Sequence, residues 1–312
     1  MSSLSVVIPA YNEGDLVVSI ANVVQDILNG ADIRHEMIFV DDGSGDSTWE
    51  HIENLSKRND CIKGIKLSRN FGKDSAILAG LIHATGDACA VIDCDLQHPP
   101  ELLVQMHQLW MQGGVDIVDC IKQSRGQEKF VYKCFANVFY GLIARIGGVN
   151  LKSSSDFKLL DRRIVDIIIS MPERQRFFRA QTTWTGFNRV EIFFSVAQRA
   201  RGTSKFNFYK SAKYALVNIA SFSSAPMQVV TVLGFAFLLI AFVFGFHTFY
   251  YWLMHRAVEG FTTVILLLLI IGSVIMISLG IIGFYVGRIY EEIKGRPPFL
   301  IESITTCRKD EE

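Results

Sequence analysis

The sequence predicts an α/β protein in which a doubly wound, mainly parallel sheet is followed by two transmembrane helices. In residues 1–120, short apolar strands alternate with segments of helical period, which is the pattern of parallel strands joined by crossover helices. Near the other end, Met227–Leu253 and Thr262–Val286 contain no Asp, Glu, Lys or Arg. At ~1.5 Å per residue, each is long enough to cross a hydrocarbon core of ~30 Å.

Five strands are predicted, each a short apolar run bounded by turn residues. They are Leu4–Pro9, Glu36–Asp41, Ile62–Leu67, Ala88–Asp93 and Val115–Cys120. A helix is predicted after each of the first four strands. The first two are indicated by apolar residues at helical spacing: Leu16, Ile20, Val23, Val24 and Ile27 in one, and Trp49, Ile52 and Leu55 in the other. The third is predicted over Asp74–His83, and the fourth begins at the start signal Pro99-Pro100-Glu101. In a sheet of this kind, the ligand binds at the carboxyl ends of the strands.

Two further segments combine apolar residues at helical spacing with lysines, and both predict amphipathic helices. Phe130–Ile146 contains Lys133; it either lies in a membrane interface or packs on its own domain, and the sequence leaves both open. Phe206–Phe222 carries lysines at its start and directly precedes the first apolar span. This position favours the membrane interface, where the lysines would face anionic headgroups.

Basic residues flank the two spans on one side. Lys205, Lys210 and Lys213 precede the first span, and Arg288, Lys294, Arg296, Arg308 and Lys309 follow the second. The connection Met254–Phe261 holds only one Arg and one Glu, so both ends of the chain are expected in the cytoplasm. The predicted organisation is a cytoplasmic α/β domain (1–205), a juxtamembrane amphipathic segment (206–226), a transmembrane hairpin (227–288) and a cytoplasmic tail (289–312).

Charge and cysteine content argue against nucleic-acid binding and against a zinc site. Lys plus Arg equals Asp plus Glu at 31 each, so the chain has no overall basic field and no nucleic-acid partner is expected. The six cysteines form no Cys-x-x-Cys pair, which argues against a zinc site and favours reduced thiols in a cytosolic environment.

The most informative motif is Asp93-Cys94-Asp95-Leu96-Gln97, at the end of the fourth predicted strand. In an extended segment, the carboxylates of Asp93 and Asp95 and the amide of Gln97 would project to the same side. These oxygen ligands suit a hard divalent cation, Mg²⁺ or Mn²⁺, that bridges a diphosphate. The motif therefore predicts phosphate chemistry in a chain that also enters a membrane.

Polar groups also follow the first two strands. Pro9-Ala10-Tyr11-Asn12-Glu13 offers an aromatic face and polar groups for a nucleotide base, and Asp41-Asp42-Gly43-Ser44 offers carboxylates for a base or ribose. Taken alone, the second motif is also a good turn. Neither Gly-x-x-x-x-Gly-Lys-Ser/Thr nor Gly-x-Gly-x-x-Gly occurs, so P-loop and dinucleotide sites lose their main support.

Four motifs together resemble the inverting family 2 glycosyltransferases, which have a GT-A-like fold. They are Val7-Ile8-Pro9-Ala10-Tyr11-Asn12-Glu13, Val40-Asp41-Asp42-Gly43-Ser44, Arg69-Asn70-Phe71-Gly72-Lys73 and Asp93 to Glu101. The two spans and the ending Gly287 to Pro297 resemble the bacterial bactoprenol (undecaprenyl-phosphate) glucosyltransferases, relatives of dolichyl-phosphate mannose synthase. The resemblance covers essentially residues 4–300.

The resemblance implies roles for individual residues. Nucleotide-sugar contacts are implied for Pro9, Tyr11, Asn12, Glu13, Asp41, Asp42, Lys73 and Asp93. Asp93, Asp95 and Gln97 would act around the metal, and Asp95 and Asp156 would be catalytic. Arg199, Arg201 and Lys205, in a loop that resembles the family's Arg-x-x-Gly-x-Ser-Lys motif, would meet donor diphosphate or lipid phosphate. Arg125 is a further candidate for a phosphate contact, and a surface role is equally open for it.

A lipid monophosphate acceptor is already largely an anion at neutral pH, unlike a sugar hydroxyl. Asp156 is therefore expected to orient or tune the acceptor rather than to deprotonate it, although the sequence leaves a role as base open. The implied function is transfer of one hexose, glucose from UDP-glucose, to polyprenyl phosphate at the cytoplasmic face of the bacterial inner membrane. A flippase, a downstream glycosyltransferase and a homo-oligomer are the expected partners. The alternatives are another donor (GDP-mannose, UDP-GlcNAc or aminoarabinose), a processive polysaccharide synthase, and a non-catalytic partner in lipid-linked sugar export.

Overall fold

The computed structural model describes residues 2–122, 155–174, 176–194, 225–254 and 260–305. These residues belong to two compact units. One contains the described residues up to Phe194 together with those from Pro297 onward, and the other contains two long apolar helices. The predicted amphipathic segments 130–146 and 206–222 lie outside the described residues.

The first unit is built on a sheet in the order β7-β5-β6-β4-β1-β2-β3-β8. Its strands are β1 (Ser3–Ala10), β2 (Arg34–Asp41), β3 (Ile62–Leu67), β4 (Ala88–Val91), β5 (Ile117–Lys122), β6 (Lys158–Asp161), β7 (Arg189–Phe194) and β8 (Ile301–Ile304). β1 pairs in parallel with β2 and β4, as do β2 with β3 and β5 with β7. β6 and β8 run antiparallel to their neighbours. The prediction of a mainly parallel α/β sheet is confirmed.

Helices cover both faces of the sheet, because alternate residues of each strand point to opposite sides. They are α1 (Gly14–Gly30), α2 (Thr48–Ser56), α3 (Lys73–His83), α4 (Leu102–Met111), α5 (Arg162–Ser170) and α6 (Phe178–Trp184). One buried cluster joins Val6 and Ile8 of β1 with apolar residues of α1, α2 and α4. The other joins Val7 with apolar residues of α3 and α5. These two clusters confirm the doubly wound arrangement.

Two predictions differ from the structure. The fourth strand ends at Val91 rather than Asp93, so the Asp93–Gln97 motif is not an extended continuation of a strand. The second difference concerns the segment 289–312, which the sequence assigns to a tail. Ile301–Ile304 forms β8 beside β3, and the Ser68 N–H donates to the carbonyl of Leu300 over 2.9 Å.

The second unit consists of α7 (Ala225–Leu253) and α8 (Phe261–Ile293). Within them, Gly234–Tyr251 and Ile270–Ile293 have mean hydropathies of 1.6 and 2.2 and are long enough to cross a membrane. Both predicted spans lie inside these helices, and α8 continues past the predicted end at Val286. By length and composition, the two helices suit lipid rather than water.

A buried ion pair in the sheet gives a stability prediction. The ammonium of Lys158 is fully buried and lies 2.8 Å from Oδ2 of buried Asp119. Burial lowers the pKa of Lys158, and the charge of Asp119 opposes that shift. We expect Lys158→Met to lower the free energy of unfolding by about 3–5 kcal/mol, because the buried carboxylate of Asp119 loses its nearest cation and keeps the more distant Arg189, at 3.7 Å. Thermal and denaturant unfolding of the purified protein measure this loss.

The double variant Lys158→Met, Asp119→Leu is the matched control. It removes both charges together, and replacing a buried pair with apolar side chains is often close to neutral. It should therefore recover most of the stability lost in the single variant. Equal destabilisation of the single and double variants would contradict the prediction.

Candidate active site

The loops after β1 and β2 are held together at the carboxyl ends of these strands. The N–H of Asn12 donates to Oγ of Ser44, and the N–H of Gly45 donates to Oδ1 of Asn12, both over 2.9 Å. Asn12 has a φ of 54°, a left-handed conformation that asparagine tolerates better than most residues. Tyr11, beside this junction, is 48% exposed, so its ring is available to a ligand.

Glu13 and Pro9 lie at the two sides of this junction. The N–H of Glu13 donates to Oγ1 of Thr48 over 2.9 Å, and its carbonyl accepts from the N–H groups of Leu16 and Val17. Glu13 thereby fixes the start of α1. Pro9 is buried within β1, so it contributes backbone position rather than an exposed ring.

Asp41 and Asp42 are both buried, but their hydrogen bonds differ. Oδ1 of Asp41 accepts from the Ser44 N–H over 2.9 Å, whereas its Oδ2 has no hydrogen-bond partner among the described residues. Asp42 accepts from the N–H groups of Phe71 and Gly72, over 2.7 and 2.9 Å. Burial raises the pKa of both carboxyls. Asp41 can therefore accept a ligand's N–H, while Asp42 holds the loop that leads to Lys73.

Gly43 allows the loop after β2 to approach the backbone of the segment that precedes Lys73. Its φ is 67°, and a Cβ at this position would lie 2.4 Å from the carbonyl carbon of Arg69. A side chain would therefore meet backbone that cannot give way. The Gly of the Asp-Asp-Gly-Ser motif serves a loop contact as well as a turn.

Lys73, Asp93, Asp156 and Arg179 form one charged cluster. The ammonium of Lys73 lies 2.6 Å from Oδ1 of Asp93 and 2.7 Å from Oδ2 of Asp156. Arg179 binds Asp156 with two nitrogens: Nε lies 2.6 Å from Oδ1 and a terminal nitrogen lies 2.8 Å from Oδ2. Lys73, predicted for the donor, and Asp156, predicted for the acceptor, are in direct contact.

The cluster shifts the pKa values of its members. Burial alone would raise the pKa of Asp156, but hydrogen bonds and charge from Arg179 and Lys73 hold it well below its usual range. Burial alone would lower the pKa of Lys73, but Asp93 and Asp156 raise it overall. Asp156 is therefore a carboxylate and Lys73 an ammonium at any physiological pH.

The acidic motif forms a turn rather than a strand. Leu96 has a φ of 55°, and Oδ1 of Asp95 accepts from the N–H of Gln97 over 3.1 Å. Asp93 is held by Lys73 on one side, and Nδ1 of His98 lies 3.9 Å from its Oδ2 on the other. His98 stacks on Phe157 with the ring centroids 5.1 Å apart. The turn thus presents two carboxylates whose backbone is fixed.

These carboxylates fit a divalent cation that also binds a diphosphate. Within the described residues, no group of three or more His, Cys, Asp or Glu side chains is gathered for a metal. Asp93 and Asp95 alone supply fewer ligands than Mg²⁺ needs. Mg²⁺ typically takes one or two carboxylates and completes its shell with water and substrate phosphates, so the donor set suits a metal that arrives with its nucleotide.

Four predicted phosphate ligands, Arg125, Arg199, Arg201 and Lys205, lie outside the described residues. Two residues of the site were not predicted: Arg179 in the cluster, and Asp74 beside it, whose Oδ1 accepts from the N–H of Phe178 over 2.9 Å. The available signal was the density of arginines in the segment 174–179, which contains Arg174, Arg176 and Arg179. That pattern is also typical of an exposed basic surface.

Asp74 gives a prediction about pH. Burial, together with the charge of Asp156, raises its pKa from 3.8 to about 6. Because the folded value is the higher one, the folded protein binds this proton more tightly, and stability falls as the pH rises from 3.8 to about 6. Asp74→Asn cannot ionise and keeps an oxygen for the Phe178 N–H, so it should unfold at a higher temperature than wild type at pH 7.5. The difference should shrink at pH 4.5; a larger advantage at the lower pH would contradict the assignment.

The chain matches known glycosyltransferases. The model of glycosyl transferase family 2 matches residues 5–165. An uncharacterized glycosyltransferase of Synechocystis sp. is 37% identical over 303 residues, which cover 96% of this chain and 95% of the relative. A prophage bactoprenol glucosyl transferase homolog of Escherichia coli is 32% identical over 308 residues, with coverages of 96% and 99%. The bactoprenol glucosyl transferase of Shigella phage SfII is 33% identical over 301 residues, with coverages of 96% and 97%.

A solved structure with a similar fold is glucosyl-3-phosphoglycerate synthase from Mycobacterium tuberculosis in complex with phosphoglyceric acid. It has a TM-score of 0.50 and 18% identity, over 72% of this chain and 80% of that chain. At this identity the likeness concerns the fold alone, and it confirms the GT-A-like architecture. Together with the relatives, which match nearly the whole chain, it leads to one assignment: the protein is a glycosyltransferase that belongs to glycosyl transferase family 2.

Proposed function

We propose that the protein transfers one glucose from UDP-glucose to undecaprenyl phosphate, or a similar polyprenyl phosphate, with inversion at the anomeric carbon. The observation that carries the proposal is the contact of Lys73 with both Asp93 and Asp156 at the ligand-binding edge of the sheet. The relatives named bactoprenol glucosyl transferases support the acceptor, because they match this chain over 96% of its length and thus include its two apolar helices.

The donor is proposed to lie across the loops after β1, β2 and β4. The unpaired Oδ2 of Asp41 can accept an N–H from the base, and the half-exposed ring of Tyr11 can stack on it. Asn12 and Glu13 keep these loops in place through their backbone hydrogen bonds. Lys73 provides a cation at the diphosphate, held there by the loop that Asp42 fixes.

Asp93 and Asp95, with Gln97 as a further ligand, are the residues proposed to hold Mg²⁺ or Mn²⁺. When bound, the metal would offset the negative charge that develops on the departing diphosphate. Lys73 contacts Asp93 on the side toward Asp156 and so orients that carboxylate. Arg125, Arg199, Arg201 and Lys205 remain predicted phosphate contacts.

The same proposal extends to the membrane. We place the domain 1–205 and the C-terminal segment in the cytoplasm, the segment 206–226 in the interface, and the two apolar helices across the bacterial inner membrane. The flanking lysines and arginines support this orientation. A flippase and a downstream glycosyltransferase are the proposed users of the product, and a homo-oligomer is the proposed assembly.

The test uses the full chain in membranes. Membranes that contain the protein are incubated with undecaprenyl phosphate and, in separate reactions, with UDP-glucose, UDP-GlcNAc and GDP-mannose. Mass spectrometry of the lipid extract should find a hexosyl phosphate lipid with UDP-glucose. A lipid product that forms only with UDP-GlcNAc or only with GDP-mannose would show that the transferred sugar is not glucose. A well-inserted protein that forms no glycosylated isoprenoid with any donor would overturn the proposal.

A further inference from the structure

Both oxygens of the Asp156 carboxylate are already bound by cations. Arg179 reaches Oδ1 through Nε and Oδ2 through a terminal nitrogen, and Lys73 reaches Oδ2 from the other side at 2.7 Å. The carboxylate is buried. A two-nitrogen contact between a guanidinium and a carboxylate fixes the plane of both groups as well as their distance.

The guanidinium is itself held by a contact between two helices. Arg179 is the second residue of α6, and the N–H of the first, Phe178, donates to Oδ1 of Asp74. Asp74 is the second residue of α3, next to Lys73. The first turns of α3 and α6 are therefore joined, and each supplies one cation to Asp156. Changes in the position of α6 would be transmitted directly to the carboxylate.

A general base needs a lone pair within reach of the proton and a pKa near the working pH. Asp156 fails the second condition, and three cationic nitrogens already contact its two oxygens. Its oxygens face Arg179 and Lys73, with Asp74 and Lys158 as the further charged neighbours. Its pKa is held far below the usual range by the two cations, although burial opposes them.

We propose that Arg179 is a positioning residue that keeps Asp156 as a fixed, oriented anion, so that Asp156 shapes the site and takes no proton from the acceptor. This inference rests on the proposed function, because a phosphate acceptor needs no base. An oxygen of the acceptor phosphate forms the bond to the anomeric carbon as the bond from that carbon to the donor diphosphate breaks. The electron pair leaves with the diphosphate, and no proton moves.

The alternative role makes the opposite prediction for Arg179→Ala. If Asp156 were a base, loss of the guanidinium would raise its basicity and the rate would be maintained or increased. If Arg179 positions an anion, kcat should fall about 100-fold, because misplacement by about 1 Å costs that much. The KM for UDP-glucose should stay within about twofold, because truncating a residue that acts only on the chemical step leaves ground-state binding intact.

Chemical rescue separates positioning from general loss of structure. Guanidinium ion at a concentration below its denaturing range should restore part of the kcat of Arg179→Ala, whereas NaCl at equal ionic strength should not. Arg179→Lys, which keeps the charge but not the two-nitrogen contact, should fall between wild type and Arg179→Ala. The matched control is Arg163→Ala, since Arg163 also binds a carboxylate, Asp116, at 2.8 Å, but lies outside the cluster. Its rate should equal that of wild type.

Two results would overturn the inference: an Arg179→Ala enzyme with wild-type or higher kcat, or one that is folded and gains nothing from guanidinium. A measurement without substrate separates its failure from failure of the proposed function. The stabilities of Arg179→Ala, Asp156→Asn and the double variant are compared by thermal unfolding. The stability lost in the double variant should differ strongly from the sum of the losses in the two single variants. If wild type transfers no sugar to any lipid phosphate, the proposed function fails while this comparison still tests the contact. Additive losses would remove the contact and the inference with it.

Discussion

Asp156→Asn is expected to lower the rate of sugar transfer about 100- to 1000-fold, the range seen when a preorganised electrostatic contact is removed at a reacting centre. The substitution keeps the size of the side chain but removes the negative charge between Lys73 and Arg179. Of the two, Lys73 keeps a second carboxylate contact in the cluster, with Asp93 at 2.6 Å. Lys73 would be drawn toward Asp93, away from the place where acceptor and donor phosphates meet.

The measurement is the initial rate of lipid-linked glucose formation at saturating UDP-glucose, with Asp166→Asn as the control. Asp166 is an exposed carboxylate that lies 3.7 Å from Arg162 and outside the charged cluster, so its variant should retain the wild-type rate. The base of the donor should still bind to Asp156→Asn, because the Asp41 and Tyr11 loops make no contact with Asp156, whereas the contact of Lys73 with the diphosphate should weaken. A wild-type rate in Asp156→Asn would show that the charge between the two cations has no part in transfer.

Asp95→Asn is expected to reduce transfer by about 1000-fold, because metal stabilisation of a departing diphosphate contributes several kcal/mol to the barrier. Within the described residues, the turn offers only the carboxylates of Asp93 and Asp95 to a metal, and Asp93 is shared with Lys73. Loss of Asp95 removes the carboxylate that forms no ion pair with another described residue. The remaining site should bind Mn²⁺ in the presence of UDP more weakly.

Two measurements check this result. Titration of Mn²⁺ into the protein with UDP reports the affinity, and the rate at increasing Mn²⁺ reports whether excess metal restores transfer. Asp26→Asn, in an exposed position of α1, is the matched control and should behave as wild type. Membrane insertion, assayed by resistance to alkaline extraction, should be unchanged. Full activity of Asp95→Asn at low Mn²⁺ would remove the metal assignment.

The part of the fold that was predicted rests on local signals. β3 was placed at its observed bounds, Ile62–Leu67, because its six residues hold three large apolar side chains, Ile62, Ile65 and Leu67, between turn residues. β6 and β8 were missed because each has four residues and carries charges, among them Lys158 and Glu302. Both strands depend on partners that are distant in the sequence. Lys158 of β6 forms its ion pair with Asp119 of β5, and β8 pairs with β3, which lies more than 230 residues earlier.

In the site, too, local motifs were predictable from the sequence and contacts between distant residues were not. Motifs after the second and fourth predicted strands pointed to Asp41 and Asp93, since the ends of parallel strands converge, whereas Lys73 and Asp156 were implied by the family resemblance. Their mutual contacts were not predicted, because the path of α6 decides that Arg179 meets Asp156. The turn at Leu96 was also missed, since a non-glycine residue at positive φ leaves no mark in an apolar sequence pattern.

The last strand along the chain imposes an order on biosynthesis. β8 closes the outer side of β3 through the pairs Ile65 with Ile304 and Lys66 with Ser303, and Thr305 bonds the backbone of Gly64. The ribosome makes these residues only after both apolar helices, so a nascent N-terminal domain presents β3 as an open edge, a template for aggregation. Completion of the sheet must therefore await synthesis of both apolar helices. A fragment that stops before the helices would carry the unprotected edge permanently, and supplying the β8 peptide in trans would be the way to cover it.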